Sequence, residues 1–216
     1  MLHQFKTILG HAVEPISCQD RLGYYLSDTM DAYELMEEAK EDYGGNEITF
    51  YDFESRETYI PFSKQTNVIY DTPVFSEGFY YFLQIDKNAG KIRLIRFLPP
   101  AELQTVTTLG LEGIDSYNLR LLGEGVHIVS DDDCFSCYFP EKFSFQHPGN
   151  EVVVFIDEGK AYCNAWFENG VDEKGNIILN DYEYYEKLVV RDYAGKIISE
   201  QRGTLFQRPN GEWWVS

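Results

Sequence analysis

Two cysteines and two histidines in the middle of the chain are the residues best suited to metal chemistry: His127, Cys134, Cys137 and His147. Thiolate and imidazole are the ligands that zinc prefers, and a Cys-x-x-Cys pair is the usual half-site. The two residues between the cysteines, Phe135-Ser136, include no glycine or proline to form the tight turn of a half-site. If this segment is a strand, the two thiols point to opposite faces. A zinc site is therefore one hypothesis, and buried, unreactive thiols are the other.

Carboxylates are the most abundant candidates for acid–base chemistry. The run Asp131-Asp132-Asp133 could offer oxygen ligands to calcium, but it lacks the spaced order of an EF-hand loop, so we interpret it as a solvated turn. Two opposed carboxylates can hydrolyse a glycosidic bond, yet among 36 acidic residues some pair will be suitably spaced by chance. Nucleophile-elbow, P-loop, dinucleotide-binding and zinc-protease motifs are absent from the sequence, and no cofactor is predicted.

Aromatic side chains are the third set of candidates, with 16 Tyr, 15 Phe and 3 Trp in the chain. Exposed Tyr and Trp beside acidic side chains would form a platform for a peptide or a carbohydrate. The candidate ligand-binding residues are Tyr80, Tyr81, Tyr184, Tyr185, Trp166, Trp213 and Trp214. Because neighbouring residues of a strand face opposite sides, each run of rings should place one ring inside and one outside. The alternative is that the outer rings only cover neighbouring strands.

The elements that position these residues are predicted to be short strands. From about residue 46 onward, apolar and aromatic segments alternate with turns rich in Gly, Asn and Asp, which is typical of meander-type all-β folds. Hairpins are predicted to join 79–85 to 91–97, 152–156 to 161–167 and 188–191 to 196–200. One acidic helix is predicted over Thr29–Asp42, after Asp28 as its N-cap.

A repeated pattern lies beneath these strands, in which an apolar strand, an Asp, a Gly-Lys turn and a second strand follow one another. The copies contain Asp86, Asp157 and Asp192, with a looser copy at Asp52, so the intervals are 34, 71 and 35 residues. Repeated β-units stack on their neighbours, and a propeller stacks them radially. We therefore predict one all-β domain, residues 1–216, that is β-propeller-like with about five or six short blades. A β-sandwich and an up-and-down barrel are the alternatives.

Charge limits the partners. With 36 acidic and 18 basic residues, the formal net charge is -18, which repels phosphate backbones and anionic membrane surfaces and attracts cations. Nucleic acid and membrane are thus not expected as partners. No run approaches the roughly 20 apolar residues of a transmembrane helix, and the first residues do not resemble a secretory signal. With only four cysteines the chain is not a disulfide scaffold, and we predict a cytoplasmic protein.

The sequence favours a non-enzymatic binding or scaffolding module that holds a protein, peptide or glycan on an aromatic and acidic surface. One alternative is a glycoside hydrolase-like enzyme with paired carboxylates in an aromatic pocket, and another is a zinc-supported interaction protein. A hydrolase predicts a carboxyl group in a deep pocket with a raised pKa, whereas a binding module predicts a shallow aromatic patch. A structural zinc site predicts stability that is lost with chelator.

Overall fold

The structure, a computed structural model, describes residues 2–123, 125–170, 177–178 and 181–216. This described part is all-β, and its strands form antiparallel sheets in which nearly every strand pairs with its neighbour in sequence. We number the sheets 1 to 5 in chain order. No helix in the described part is long and apolar enough to cross a membrane.

The strands of the first three sheets have the following bounds. Sheet 1 contains β1 (Glu14–Pro15), β2 (Leu22–Leu26), β3 (Ile48–Asp52) and β4 (Thr58–Tyr59). Sheet 2 contains β5 (Val68–Tyr70), β6 (Val74–Ser76), β7 (Phe79–Asp86), β8 (Lys91–Leu98) and β9 (Glu102–Gly110). Sheet 3 contains β10 (Arg120–Leu122), β11 (His127–Asp131), β12 (Cys134–Phe139) and β13 (Phe143–Gln146).

The last two sheets complete the described fold. Sheet 4 contains β14 (Glu151–Asp157), β15 (Lys160–Asn169), β16 (Glu183–Asp192) and β17 (Ile197–Arg202). Sheet 5 contains β18 (Leu205–Gln207) and β19 (Trp213–Val215).

The three predicted hairpins are confirmed as β7–β8, β14–β15 and β16–β17. Local turn chemistry explains why the sequence located them. Between β14 and β15, Asp157 pairs with Lys160, and the two residues between them, Glu158 and Gly159, both have positive φ (45° and 75°). Two consecutive residues with positive φ match the right-handed twist of a tight hairpin, and glycine adopts this conformation without strain.

Consecutive sheets pack face to face through shared apolar cores. In β7, Phe82 lies in the core between sheets 1 and 2, whereas Leu83 lies in the core between sheets 2 and 3. A third core joins sheets 3 and 4 around Phe135 and Val153, and a fourth joins sheets 4 and 5 around Leu188 and Leu205. Face-to-face packing of antiparallel sheets fits the β-sandwich alternative. The β-propeller is not confirmed, and no sheet among the described strands closes into a barrel.

The predicted helix over Thr29–Asp42 is wrong. Only a π-helical turn, Glu34–Glu38, forms there, and it begins with reciprocal hydrogen bonds between Asp31 and Glu34. From this segment only Ala32 and Leu35 are buried in the core between sheets 2 and 3, and Met30 packs against it partly buried, so the apolar face is too narrow to support a longer helix. The ammonium group of Lys87 donates to the carbonyl of Leu35 (2.7 Å), which holds this short turn against sheet 2.

Candidate functional site

An open groove with a volume of about 740 Å³ lies between sheets 3 and 4. We call it the acidic groove, and its lining includes Tyr117, Arg120, Asp131, Asp132, Asp133, His147, Glu151, Trp166 and Trp213. The first strands of the two sheets, β10 and β14, also contribute to this lining. The groove is large enough for a ligand, and its lining combines aromatic rings with carboxylates.

A buried carboxylate joins the two sheets beneath the groove. Asp131 ends β11, and its side chain is only 5% exposed. Its Oδ1 lies 2.7 Å from Nε2 of His147, and its Oδ2 accepts hydrogen bonds from Nη2 of Arg120 (3.2 Å) and from the backbone N–H of Val153 (3.3 Å). The same Arg120 donates to the carbonyl of Val153 (3.0 Å). Asp131 thus acts as a structural support that fixes sheet 3 to β14.

A second buried carboxylate in the lining, Glu151, is also fully engaged. Arg191 grips it with two donors: Nη2 donates to Oε2 at 2.8 Å, and Nε donates to Oε1. The remaining nitrogen, Nη1, donates to the carbonyl of Gly195 (2.7 Å). The hydrogen bond to Glu151 raises the pKa of Arg191 above its usual range. The Glu151–Arg191 pair therefore links β14 to β16 beneath the groove, and a ligand would have to bind to other residues of the lining.

Two acidic residues of the groove remain available to a ligand. Asp132 and Asp133 are exposed in the turn after β11, and neither forms an ion pair with a residue that the structure describes. The buried carboxylates below them are neutralised by Arg120 and Arg191, so uncompensated negative charge is concentrated at the opening of the groove.

The aromatic part of the groove is partly rigid and partly exposed. Trp213 stacks on Phe155 with ring centroids 4.7 Å apart, and Phe155 stacks on Tyr162 at 4.2 Å. The indole N–H of Trp213 is buried without a hydrogen-bond partner among the described residues. By contrast, Trp166 and Tyr117 are 40% and 43% exposed. The groove therefore offers accessible ring faces.

The structure brings three of the predicted site residues together here: Trp166, Trp213 and His147. The other exposed aromatic candidates lie outside the acidic groove. Trp214 is 52% exposed on β19, and Tyr184 is 49% exposed with its hydroxyl donating to Glu186 (2.7 Å).

Tyr185 also lies outside the groove lining. Its ring stacks on Phe167 at 5.2 Å and is covered by the guanidinium of Arg202 at 4.9 Å. This ring covers a neighbouring strand, as expected if an outer ring has a packing role and does not bind a ligand.

The expectation that one ring of the Tyr80–Tyr81 pair faces outward is wrong. The two residues are 2% and 9% exposed, and they lie in different cores. The reason is that β7 lies within sheet 2, whose two faces are covered by sheets 1 and 3, so both directions of the side-chain alternation point inward. The hydroxyl of Tyr80 is satisfied by donating to Gln19 (2.9 Å).

The four candidate zinc ligands do not form a cluster. Cys137 faces the core between sheets 3 and 4, whereas Cys134 points to the other face of β12, as a strand requires. His127 is buried on β11, and His147 binds Asp131. Burial raises the pKa of Cys137 to about 11, so its thiol stays protonated. In the part of the chain that the structure describes, no three His, Cys, Asp or Glu side chains are arranged to hold a metal ion.

Three residues of the groove lining were not among the candidates predicted from the sequence: Tyr117, Arg120 and Glu151. A weak signal existed for Arg120, because it alternates with buried Leu119 and Leu121 and so must face away from their core. Comparison of the chain with known protein families, curated proteins and solved structures finds no match. The functional assignment therefore rests on the groove itself.

Proposed function

We propose that the protein is a non-enzymatic binding module whose acidic groove holds a basic segment of a partner protein. The observation that carries this proposal is the placement of two uncompensated carboxylates, Asp132 and Asp133, beside the exposed rings of Tyr117 and Trp166. Lys and Arg side chains are attracted both to carboxylates and to the faces of aromatic rings.

The charge of the whole molecule supports a cationic ligand. A formal net charge of -18 steers basic segments toward the protein, and the groove focuses that field at its opening. A neutral glycan can hydrogen-bond to the carboxylates, but unlike Lys and Arg it brings no positive charge to offset the cost of desolvating them.

Two features speak against the other functions predicted from the sequence. A glycoside hydrolase in the acidic groove would need a protonated carboxyl group as its acid, whereas the buried carboxylates there, Asp131 and Glu151, are ion-paired with arginines. Asp71, whose pKa burial raises to about 6, lies in a separate cavity. A zinc-supported site lacks a ligand cluster among the described residues. The single domain and the cytoplasmic location stay predictions from the sequence.

The test is a fluorescence-anisotropy titration with labelled peptides that differ only in their number of Lys and Arg residues. We expect affinity to increase with that number. Trp166→Ala should weaken binding about tenfold, the size of a moderate interface hot spot. The matched control is Trp214→Ala, which removes a ring outside the groove that is 52% exposed, against 40% for Trp166.

The charge of the groove is tested separately. Asp132→Asn with Asp133→Asn should weaken binding of the basic peptides and flatten its salt dependence. Glu37→Gln with Glu38→Gln removes the same charge from the exposed π-helical turn and serves as the control. Equal losses in the two double variants would show general attraction to an acidic protein and would contradict a binding site in the groove.

We propose further that the five sheets are arranged as blades of a propeller. Face-to-face packing of each sheet on the next supports this arrangement, as does a cavity of about 270 Å³ that all five sheets help to line. Each of the five sheets contributes to its lining, and one residue from each, in sheet order, is Pro15, Val74, Leu122, Phe155 and Trp213.

A further inference from the structure

A second cavity, of about 350 Å³, is separate from the acidic groove and shares none of its lining residues. We call it the Asp71 cavity. Its lining comes from sheet 1 (Tyr24 and Tyr25), from sheet 2 (Ile69) and from the chain that leads into the π-helical turn, including Met30. Its volume suits a small molecule.

Asp71 lines this cavity directly after β5, and only one of its two carboxylate oxygens accepts a hydrogen bond from a described residue. Its backbone N–H donates to the carbonyl of Leu83 (3.1 Å), and its Oδ1 accepts from the backbone N–H of Thr72 (2.7 Å). Its other oxygen, Oδ2, is buried and has no partner among the residues that the structure describes. A buried carboxylate oxygen without a donor is costly, which indicates that a donor from outside the chain belongs there.

The surroundings of Asp71 select for a positive donor. Three more carboxylates, Glu14, Asp28 and Asp31, line the cavity, while no Lys, Arg or His does. Burial raises the pKa of Asp71 to about 6; Asp31 adds to this increase, and Arg120, from outside the lining, opposes it. Asp71 is therefore mostly ionised at neutral pH and can form a charge-assisted hydrogen bond with a cation.

We propose that the Asp71 cavity binds a small organic amine, whose ammonium group donates to Oδ2 of Asp71 while its apolar body lies against Tyr25, Met30 and Ile69. The apolar and aromatic lining fits an organic body rather than a hydrated ion. A metal ion is not the favoured occupant, because the described carboxylates are not arranged as a metal-binding group.

The test uses calorimetric titration of the whole protein with phenethylamine, with putrescine and with phenethyl alcohol, the neutral isostere of the first. We expect at least one amine to bind and the alcohol not to bind. Asp71→Asn should weaken amine binding at least about 30-fold, the loss typical for removing one partner of a buried charge pair. Glu37→Gln, an exposed charge far along the π-helical turn, is the control and should leave the affinity unchanged.

The pH dependence gives an independent readout. Because protonated Asp71 cannot pair with an ammonium group, amine binding should be about tenfold weaker at pH 5 than at pH 7, and Asp71→Asn should abolish this dependence. Failure of both amines to bind, equal binding of the alcohol, or unchanged affinity in Asp71→Asn would overturn the proposal. So would hydrolysis of aryl glycosides that is lost in Asp71→Asn, which would assign the carboxyl group to acid catalysis.

Discussion

Two carboxylates at strand ends, Asp71 and Asp131, show how surroundings decide the role of a residue. Asp131 is met by His147, Arg120 and a backbone N–H, so its charge stabilises the contact between two sheets. Asp71 has one backbone donor and an unpartnered buried oxygen, so its charge opposes folding. Proteins tolerate such a destabilising group where function needs it.

This contrast predicts that Asp71→Asn stabilises the protein at neutral pH. The pKa of Asp71 is raised from 3.8 to about 6 on folding, so the native state holds a proton that the unfolded chain has lost between these values. Stability therefore falls as pH rises through this range, and the variant should gain about 3 kcal/mol at pH 7 and nearly nothing below pH 4.

Urea denaturation of both proteins at several pH values checks this expectation. A gain that is the same at pH 4 and pH 7 would mean that the stabilisation comes from packing and not from the Asp71 charge.

At the scale of elements, the sequence located the hairpins but not the short helix. Turn chemistry such as Asp157-Glu158-Gly159-Lys160 is local, and it fixes a hairpin without knowledge of the rest of the fold. The helix was predicted from the cap at Asp28, but a helix of this length depends on tertiary packing, and only Ala32 and Leu35 are buried, with Met30 partly buried beside them. Burial of both faces of β7 was likewise invisible, because it arises from two other sheets.

The elements of sheet 4 are joined by the buried pair Glu151–Arg191, which links β14 to β16. Glu151→Gln should lower the free energy of unfolding by about 3 kcal/mol, because the charge of Arg191 is left buried without its partner. Replacing both residues by methionine should recover most of this loss, since neither charge is then stranded. Thermal and urea unfolding of the single and double variants give the measurement. A double variant as unstable as the single one would show that the pair itself stabilises the sheet.

At the scale of the whole molecule, the acidic groove is assembled from residues that are remote in sequence. Four of its lining residues each lie on, or follow, a different strand, so no linear sequence motif could indicate them: Tyr117, Asp132, Trp166 and Trp213. Composition favoured a surface that combines rings and carboxylates, and the lining of the proposed site contains both. Its location depends on how sheets 3 and 4 pack, which strand prediction alone does not provide.

In the proposed arrangement of blades the last sheet lies beside the first, so an engineered disulfide should be able to join residues 18 and 211. A Cβ at Gly211 would lie 3.6 Å from the Cβ of Cys18, within the range of about 3.5–4.5 Å that a disulfide requires. Gly211→Cys should therefore form a disulfide with Cys18 on mild oxidation, although the positive φ of Gly211 (91°) adds some strain. Peptide mapping by mass spectrometry identifies the bond.

A matched control for this link is Gly149→Cys, which places a thiol at an exposed position with no atom nearby. If Cys18 forms a disulfide with Gly211→Cys no more readily than with Gly149→Cys, the last sheet does not contact the first as proposed.

Binding of a basic segment in the acidic groove can be followed by the three indole N–H signals in ¹H–¹⁵N NMR while a Lys- and Arg-rich peptide is added. Trp166 and Trp213 line the acidic groove and Trp214 does not, so the protein contains its own control. Binding in the groove should shift the signals of Trp166 and Trp213, because both rings line it, and should leave Trp214 unchanged. A shift of Trp214 alone, or no shift of any indole at saturating peptide, would contradict binding in the groove.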